Sequence, residues 1–179
     1  MIDLLIRISK TINVPVCEHA EVPVVELVFL PGLLDYCKTN VCGNYNKSWT
    51  CPPACRSIEE QREKILFYKN VLVFSTKHNI EDSFDYDGMT KGRELHTLLT
   101  GKLKQQLGDV PVYGAGSCPV CLDKEGKHSC SFPKPCMFPE KRIGSIEAAG
   151  IDVTELCKAA GINYNNGPNT VTFFTIVLQ

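Results

Sequence analysis

Cys37, Cys42, Cys51 and Cys55 form one tight group in the chain, and Cys118, Cys121, Cys130 and Cys136 form a second. Each is a quartet of thiols within a single loop, the number that a tetrahedral metal ion or an iron-sulfur cluster takes. The first reads Cys37-x4-Cys42-x8-Cys51-x3-Cys55 and the second Cys118-x2-Cys121-x8-Cys130-x5-Cys136. Zinc ribbons usually bring two close Cys hairpins to one ion. Here only Cys51/Cys55 and Cys118/Cys121 are spaced that closely.

Uneven spacing suits a 4Fe-4S cubane, whose corners lie further apart than the ligands of a single ion. Pro52, Pro53, Pro119, Pro133, Pro135 and Pro139 lie in or beside the two loops. A proline fixes its own φ and so stiffens a ligand loop, and the pairs Cys51-Pro52 and Cys118-Pro119 are similar to the Cys-Pro of bacterial ferredoxins. Two 4Fe-4S clusters are the expected cofactors, with zinc as the alternative. The helix predicted to follow Cys55 could aim its amino end at an anionic cluster.

Cys17 and Cys157 are left over. Cys157, beside Leu156 and Ala160, reads as a small buried apolar residue. Cys17, in the irregular stretch 14–19, is an alternative to Cys55 as a ligand. His19, His78, His96 and His128 form no spaced pair; His96 reads as a boundary residue, and His128, close to Cys130, is the one placed to approach a site. Trp49, Tyr45 and Phe138 would shield the clusters from water. Glu147 and Asp152, with Gly144, Ser145 and Arg142, could form a polar pocket beside the second loop, or Arg142 could neutralise cluster charge. No nucleotide-binding loop, nucleophile elbow or dinucleotide fingerprint is present, so no catalytic side chain is assigned.

The elements that must hold these loops alternate. Residues 24–30, β-branched and aromatic between Pro23 and Pro31, predict a mostly buried strand. Ser57 and Glu60 have the spacing of a capping box and start a helix from about Ile58 to Tyr68. Residues 71–75 predict a second buried strand, and the polar stretch 77–90 an exposed loop. Leu95, Leu98, Leu99, Leu103 and Leu107 share one helix face, ended by Gly108. A short strand at 110–113 leads into the second loop. Asp152 and Glu155 have capping-box spacing and start a helix ending near Gly161, and residues 170–178 predict a central strand. Such alternation predicts a layered α/β domain spanning 1–179, with a small, mainly parallel sheet flanked by helices and two cysteine-rich cluster-binding loops, 37–55 and 118–136.

The chain has the apolar content of a globular protein, 44%, so it can bury a core and does not need disulfide staples. Its net charge of -1 gives no electrostatic support to nucleic-acid binding. Residues 1–7 make a poor signal peptide, and the longest apolar stretch, 22–34, is too short and too interrupted to span a bilayer. A cytoplasmic location is expected, where dense thiols are more often metal ligands than disulfides.

The stretch 136–153, Cys-Met-Phe-Pro-Glu-Lys-Arg-Ile-Gly-Ser-Ile-Glu-Ala-Ala-Gly-Ile-Asp-Val, with Cys118-Pro-Val-Cys121 upstream, resembles a family of predicted metal-binding proteins of unknown function found mostly in anaerobic bacteria and archaea. Cys37-x4-Cys42-Gly-Asn-Tyr45 and Cys51-Pro-Pro53 resemble that family's first motif, and the likeness runs from about residue 25 to the end. It implies metal binding through these cysteines, foremost as iron-sulfur clusters. The step from Cys121 to Cys130 is longer than the family pattern, and Cys55 has no clear counterpart. The fourth ligand of the first site is therefore Cys55, Cys17 or a group from a substrate or partner. The expected function is electron transfer to a partner redox enzyme, or its maturation. The alternatives are a zinc-stabilised adaptor without redox chemistry, and an enzyme using a cluster with an open coordination position.

Overall fold

The computed structural model describes residues 1–121 and 129–179. Five strands, β1 (Glu18–Pro23), β2 (Asn70–Asn79), β3 (Val112–Gly114), β4 (Gly144–Ser145) and β5 (Thr170–Leu178), form one sheet in the order β1-β2-β5-β3-β4. Five helices flank it: α1 (Ile2–Ile12), α2 (Leu33–Lys38), α3 (Ile58–Ile65), α4 (Tyr86–Leu107) and α5 (Val153–Ala160).

The sheet is mixed and mostly antiparallel, not mainly parallel as the alternation of strands and helices predicts. Only β3 and β4 pair parallel; β1 with β2, β2 with β5 and β3 with β5 are antiparallel. The reason is the last strand. Because β2 and β3 both run antiparallel to β5, they run parallel to each other, as a strand-helix-strand passage through α4 requires. The chain then inserts β5 between them and replaces the parallel contact with two antiparallel ones. The central position expected for residues 170–178 is the one β5 takes.

Alternation along the buried strands divides the core in two. Leu72, Phe74 and Val177 face α1 and α4, meeting Leu5, Leu99 and Leu103. Val71, Val73, Ile176 and Leu178 face the other way, toward Ile65, Ile151, Leu156 and Cys157. Burying a side chain of this size contributes about 1.5–3 kcal/mol. Cys157, 2% exposed, is the apolar core residue expected of it. Helix α1 was not expected from the sequence; Ile2, Leu5, Ile8 and Ile12 recur at helical spacing and pack toward the α4 face.

Two local expectations fail. Residues 24–30 are not a strand: Val24–Glu26 form a 3-10 turn, and beyond it Phe29 makes a lone bridge to Ile151. Val24 and Leu27 point into the core three residues apart while Val25 is 75% exposed, so the burial follows a tight helical turn and not a pleat. Residues 77–90 are not all loop, since β2 runs on to Asn79 and α4 begins at Tyr86 behind an Asp85 cap that accepts from the Gly88 N–H at 2.8 Å. His96 is no boundary residue either. It is 3% exposed, with Nδ1 2.9 Å from the Thr76 hydroxyl and Nε2 2.9 Å from that of Thr175. His78 reaches the same Thr76 hydroxyl, so two histidines absent from any sequence motif share one partner.

The frames of the cysteine loops match expectation. Ser57 and Glu60 form the reciprocal capping box, with Ser57 Oγ accepting from the Glu60 N–H at 3.2 Å and Glu60 Oε2 from the Ser57 N–H at 3.0 Å. Asp152 caps α5 by accepting from the N–H groups of Thr154 and Glu155 at 2.8 and 3.2 Å. Gly161 ends α5 in the left-handed region, φ 65°. Gly150 must be glycine, since a Cβ there would lie 2.6 Å from Ile58 Cδ1 and its φ is +76°. That close approach holds the start of α3, and with it the end of the first cysteine loop, against the turn after β4.

Candidate metal centre

The first cysteine loop leaves α2 at Cys37 and returns to α3 after Cys55. Asn40, Gly43 and Asn46 take the left-handed conformation, the tight turns that fold the loop back on itself. Asn40 Oδ1 accepts from the Tyr45 N–H at 3.0 Å, and the Asn46 N–H donates to the Pro52 carbonyl at 2.8 Å. A single hydrogen-bonded turn, Cys55 N–H to Cys51 carbonyl at 3.0 Å, brings Cys51 and Cys55 to one side.

The thiols of this loop act on one another electrostatically. Burial pushes the Cys51 thiol up to about 12, with Cys42, Cys55 and Cys37 adding to the shift and the Thr50 hydroxyl opposing it. Burial also takes Cys55 up to about 11, with Cys37 adding. Cys37 is raised by burial, then by Cys42 and by the Glu147 carboxylate. Cys51 thus lies within electrostatic reach of the other three thiols, and Cys55 within reach of Cys37 and Cys51. Cys17 lies elsewhere, its N–H bonded to the Ser75 carbonyl at 2.8 Å and its thiol 3.8 Å from Asn166 Oδ1.

The second group forms at the β3–β4 edge of the sheet. Cys118, Cys121, Cys130 and Cys136 line one cavity with Trp49, Phe138 and Arg142. Burial raises Cys118; the N–H groups of Ile143 and Val120 oppose this, and Cys136 and Cys130 add to it. Cys121 is raised by burial, then by Cys130, Cys118 and Cys136. Trp49, from the first loop, closes this cavity: its Nε1–H donates to the Lys134 carbonyl at 2.9 Å, and its ring meets Phe132 edge-on at 5.1 Å. Arg142 thus sits where it could offset negative charge on the second thiol group.

One residue joins the two groups. Thr50, 6% exposed and directly before Cys51, accepts at its hydroxyl from the Cys118 N–H at 3.0 Å and opposes the upward shift of the Cys51 thiol. Its Oγ lies 3.1 Å from that of Ser48, which is fully buried. The thiol groups therefore share a wall one side chain thick. The sequence signal was a hydroxyl residue directly before Cys51.

A model of the family described as Predicted metal-binding protein (DUF2284) matches residues 20–179. The chain belongs to this family. No curated protein and no solved structure matches it. The match takes in all eight cysteines of the two groups.

Thiolate donors select zinc, copper(I) and iron-sulfur clusters over hard ions, and in kind and number the two groups fit such a cofactor. Among the described residues, no three Cys, His, Asp or Glu side chains converge closely enough to hold one metal ion. For comparison, a Zn–S bond of ~2.3 Å puts the sulfurs of a tetrahedral site roughly 3.8 Å apart. Cys37, Cys51, Cys55, Cys118 and Cys121 are all raised, so these thiols hold their protons at pH 7 and metal must displace them to bind.

Two further expectations are adjusted. Glu147 and Asp152 do line one cavity, of ≈ 540 Å³, but Arg142 is not part of it, and it adjoins the first group, where Glu147 acts on Cys37. Glu147 Oε2 also accepts from the Gly116 N–H at 3.1 Å and the Ser145 hydroxyl at 2.7 Å. The amino end of α3 carries its own acids, Glu59 and Glu60, and the capping box occupies two of its donors, so it is poorly furnished to receive an anionic cluster. His128 lies outside the described residues. Among those described, no helix is long and apolar enough to cross a membrane.

Proposed function

We propose that this protein is a single-domain iron-sulfur protein of the cytoplasm, carrying one 4Fe-4S cluster on Cys37, Cys42, Cys51 and Cys55 and another on Cys118, Cys121, Cys130 and Cys136. Its role is electron transfer to a partner redox enzyme or the maturation of that enzyme. The observation that carries this reading is the Thr50 hydroxyl, which belongs to the residue directly before Cys51 and accepts from the Cys118 N–H of the second group. Two metal sites serving only as structural staples need no shared wall, whereas two redox sites that exchange electrons need short separation.

When bound, such clusters supply one-electron chemistry at potentials set by hydrogen bonds to sulfur, burial and nearby charge. The chain furnishes each of these. The Ile143 N–H points at Cys118 Sγ from 3.5 Å, and Thr50 opposes the upward shift of the Cys51 thiol. Cys51 is 7% exposed while Cys42 is exposed beside Val41, which is 92% exposed. The first site thus has a sealed side toward the second site and an open side toward a partner.

Electron paramagnetic resonance of the dithionite-reduced protein tests this. Two interacting signals are expected, with Cys51→Ser and Cys130→Ser each perturbing a different one. Protein that carries its metal but gives no signal on reduction, and no visible absorption beforehand, defeats the proposal.

A further inference from the structure

A second cavity, of ≈ 430 Å³, opens between the first cysteine loop and the β3–β4 edge of the sheet. Its volume lies in the range of small-molecule sites, about 300–1,000 Å³. Cys55 and Trp49 stand among its lining residues, so it borders the first thiol group directly. Its charge is lopsided. Arg56, Lys64, Lys104 and Arg142 line it, against the single acid Asp109, in a chain whose net charge is only -1.

The cations are not equivalent. Lys104 is committed to the end of α4, donating to the Gly108 and Val110 carbonyls at 2.7 and 2.9 Å. Arg56, Lys64 and Arg142 have no ion-pair partner among the described residues. The two guanidinium groups converge from separate parts of the chain: burial, then Tyr68, raises the Tyr113 phenol, and Arg142 and Arg56 both pull it back. The setting is braced as well. Gln61 Nε2 donates to the Arg56 carbonyl at 2.9 Å and the Ala148 carbonyl at 2.8 Å. Tyr113 lies against Gly144, where a Cβ would come within 2.4 Å of its ring.

We propose that this cavity, lined also by Trp49 and Tyr113, binds a small oxyanion, a carboxylate or phosphate compound, on Arg56 and Arg142 beside Cys55. Guanidinium forks match the paired oxygens of both groups, and a cavity this size with aromatic walls accepts a compact organic body as well as the anion. The site makes the protein more than a carrier, because its ligand lies next to the first thiol group, as a substrate or an effector. It stands whichever metal the thiols hold.

The chain's single tryptophan, Trp49, lines the cavity and reports on it. The metal-loaded full chain is titrated with inorganic phosphate and separately with succinate at constant ionic strength, following tryptophan fluorescence and heat of binding together. A saturable response to at least one probe is expected, weakened about tenfold or more in Arg142→Gln and in Arg56→Gln. In Lys10→Gln, on the exposed side of α1, it should stay within about twofold. Response to phosphate alone assigns phosphate compounds, to succinate alone carboxylates, and to both a general oxyanion cradle. No saturable heat or fluorescence change with either probe overturns the proposal, as does an equal loss in Lys10→Gln.

Discussion

Replacing Thr50 by valine removes one hydroxyl and keeps the shape of the side chain, so it isolates the bond on which the contact between the two thiol groups depends. In the native protein that hydroxyl accepts from the Cys118 N–H at 3.0 Å, and Thr50 itself is only 6% exposed. Thr50→Val leaves a part-buried N–H without its acceptor, which costs about 1–3 kcal/mol. Thr50→Ser keeps the hydroxyl and loses one methyl group, about 0.8 kcal/mol. The valine variant should therefore be the less stable of the two. Hydrogen exchange at the Cys118 amide reads the local effect: each 1.4 kcal/mol accelerates opening about tenfold, so Val should raise the rate by roughly 5- to 150-fold and Ser by less than about fivefold. The spectra of both metal sites should change in Thr50→Val, because one hydroxyl serves both. Unchanged Cys118 protection in the valine variant, or a larger loss in the serine variant, would refute the argument.

Three other perturbations follow from the frame. Burial lowers His96 from its usual 6.5 to about 3, so between those values the unfolded chain binds a proton that the native protein refuses. Stability contributed by the neutral imidazole is complete above about pH 6.5 and is lost as pH falls toward 3, at up to ~1.4 kcal/mol per pH unit; urea unfolding at a series of pH values should show this slope flattened in His96→Gln. Asp152→Ala removes the cap that accepts from the Thr154 and Glu155 N–H groups and should cost about 1 kcal/mol in the same assay. Gly150→Ala forces a Cβ to within 2.6 Å of Ile58 and should cost about 1–3 kcal/mol, with weakened metal retention at the first site because Ile58 opens the helix that follows Cys55.

What the sequence disclosed and what it concealed divide along physical lines. Helix starts were legible where the capping chemistry is local, as at Ser57 and Asp152, and so was the long leucine face of α4, whose buried Leu99 and Leu103 recur at helical period. The sheet was misjudged because β5 inserts between β2 and β3, a pairing decided by contacts 61 to 107 residues apart in the chain and by no local signal. Residues 24–30 looked like a strand on composition, but their burial pattern follows a 3-10 turn. At the site, spacing grouped Cys118, Cys121, Cys130 and Cys136, which line one cavity, and Cys51 and Cys55, which one hydrogen-bonded turn brings to one side. The links between groups were hidden: Thr50, Trp49 and Glu147 act across loops, through a hydroxyl, an indole N–H and a carboxylate that belong to no cysteine motif.

Metal and sulfide analysis of anaerobically purified protein, with visible spectra before and after dithionite, tests the central claim most directly. The account predicts iron and acid-labile sulfide in equal amounts, corresponding to two 4Fe-4S clusters per chain, and visible absorption that dithionite bleaches. Stoichiometric zinc, without sulfide or visible absorption, would contradict it.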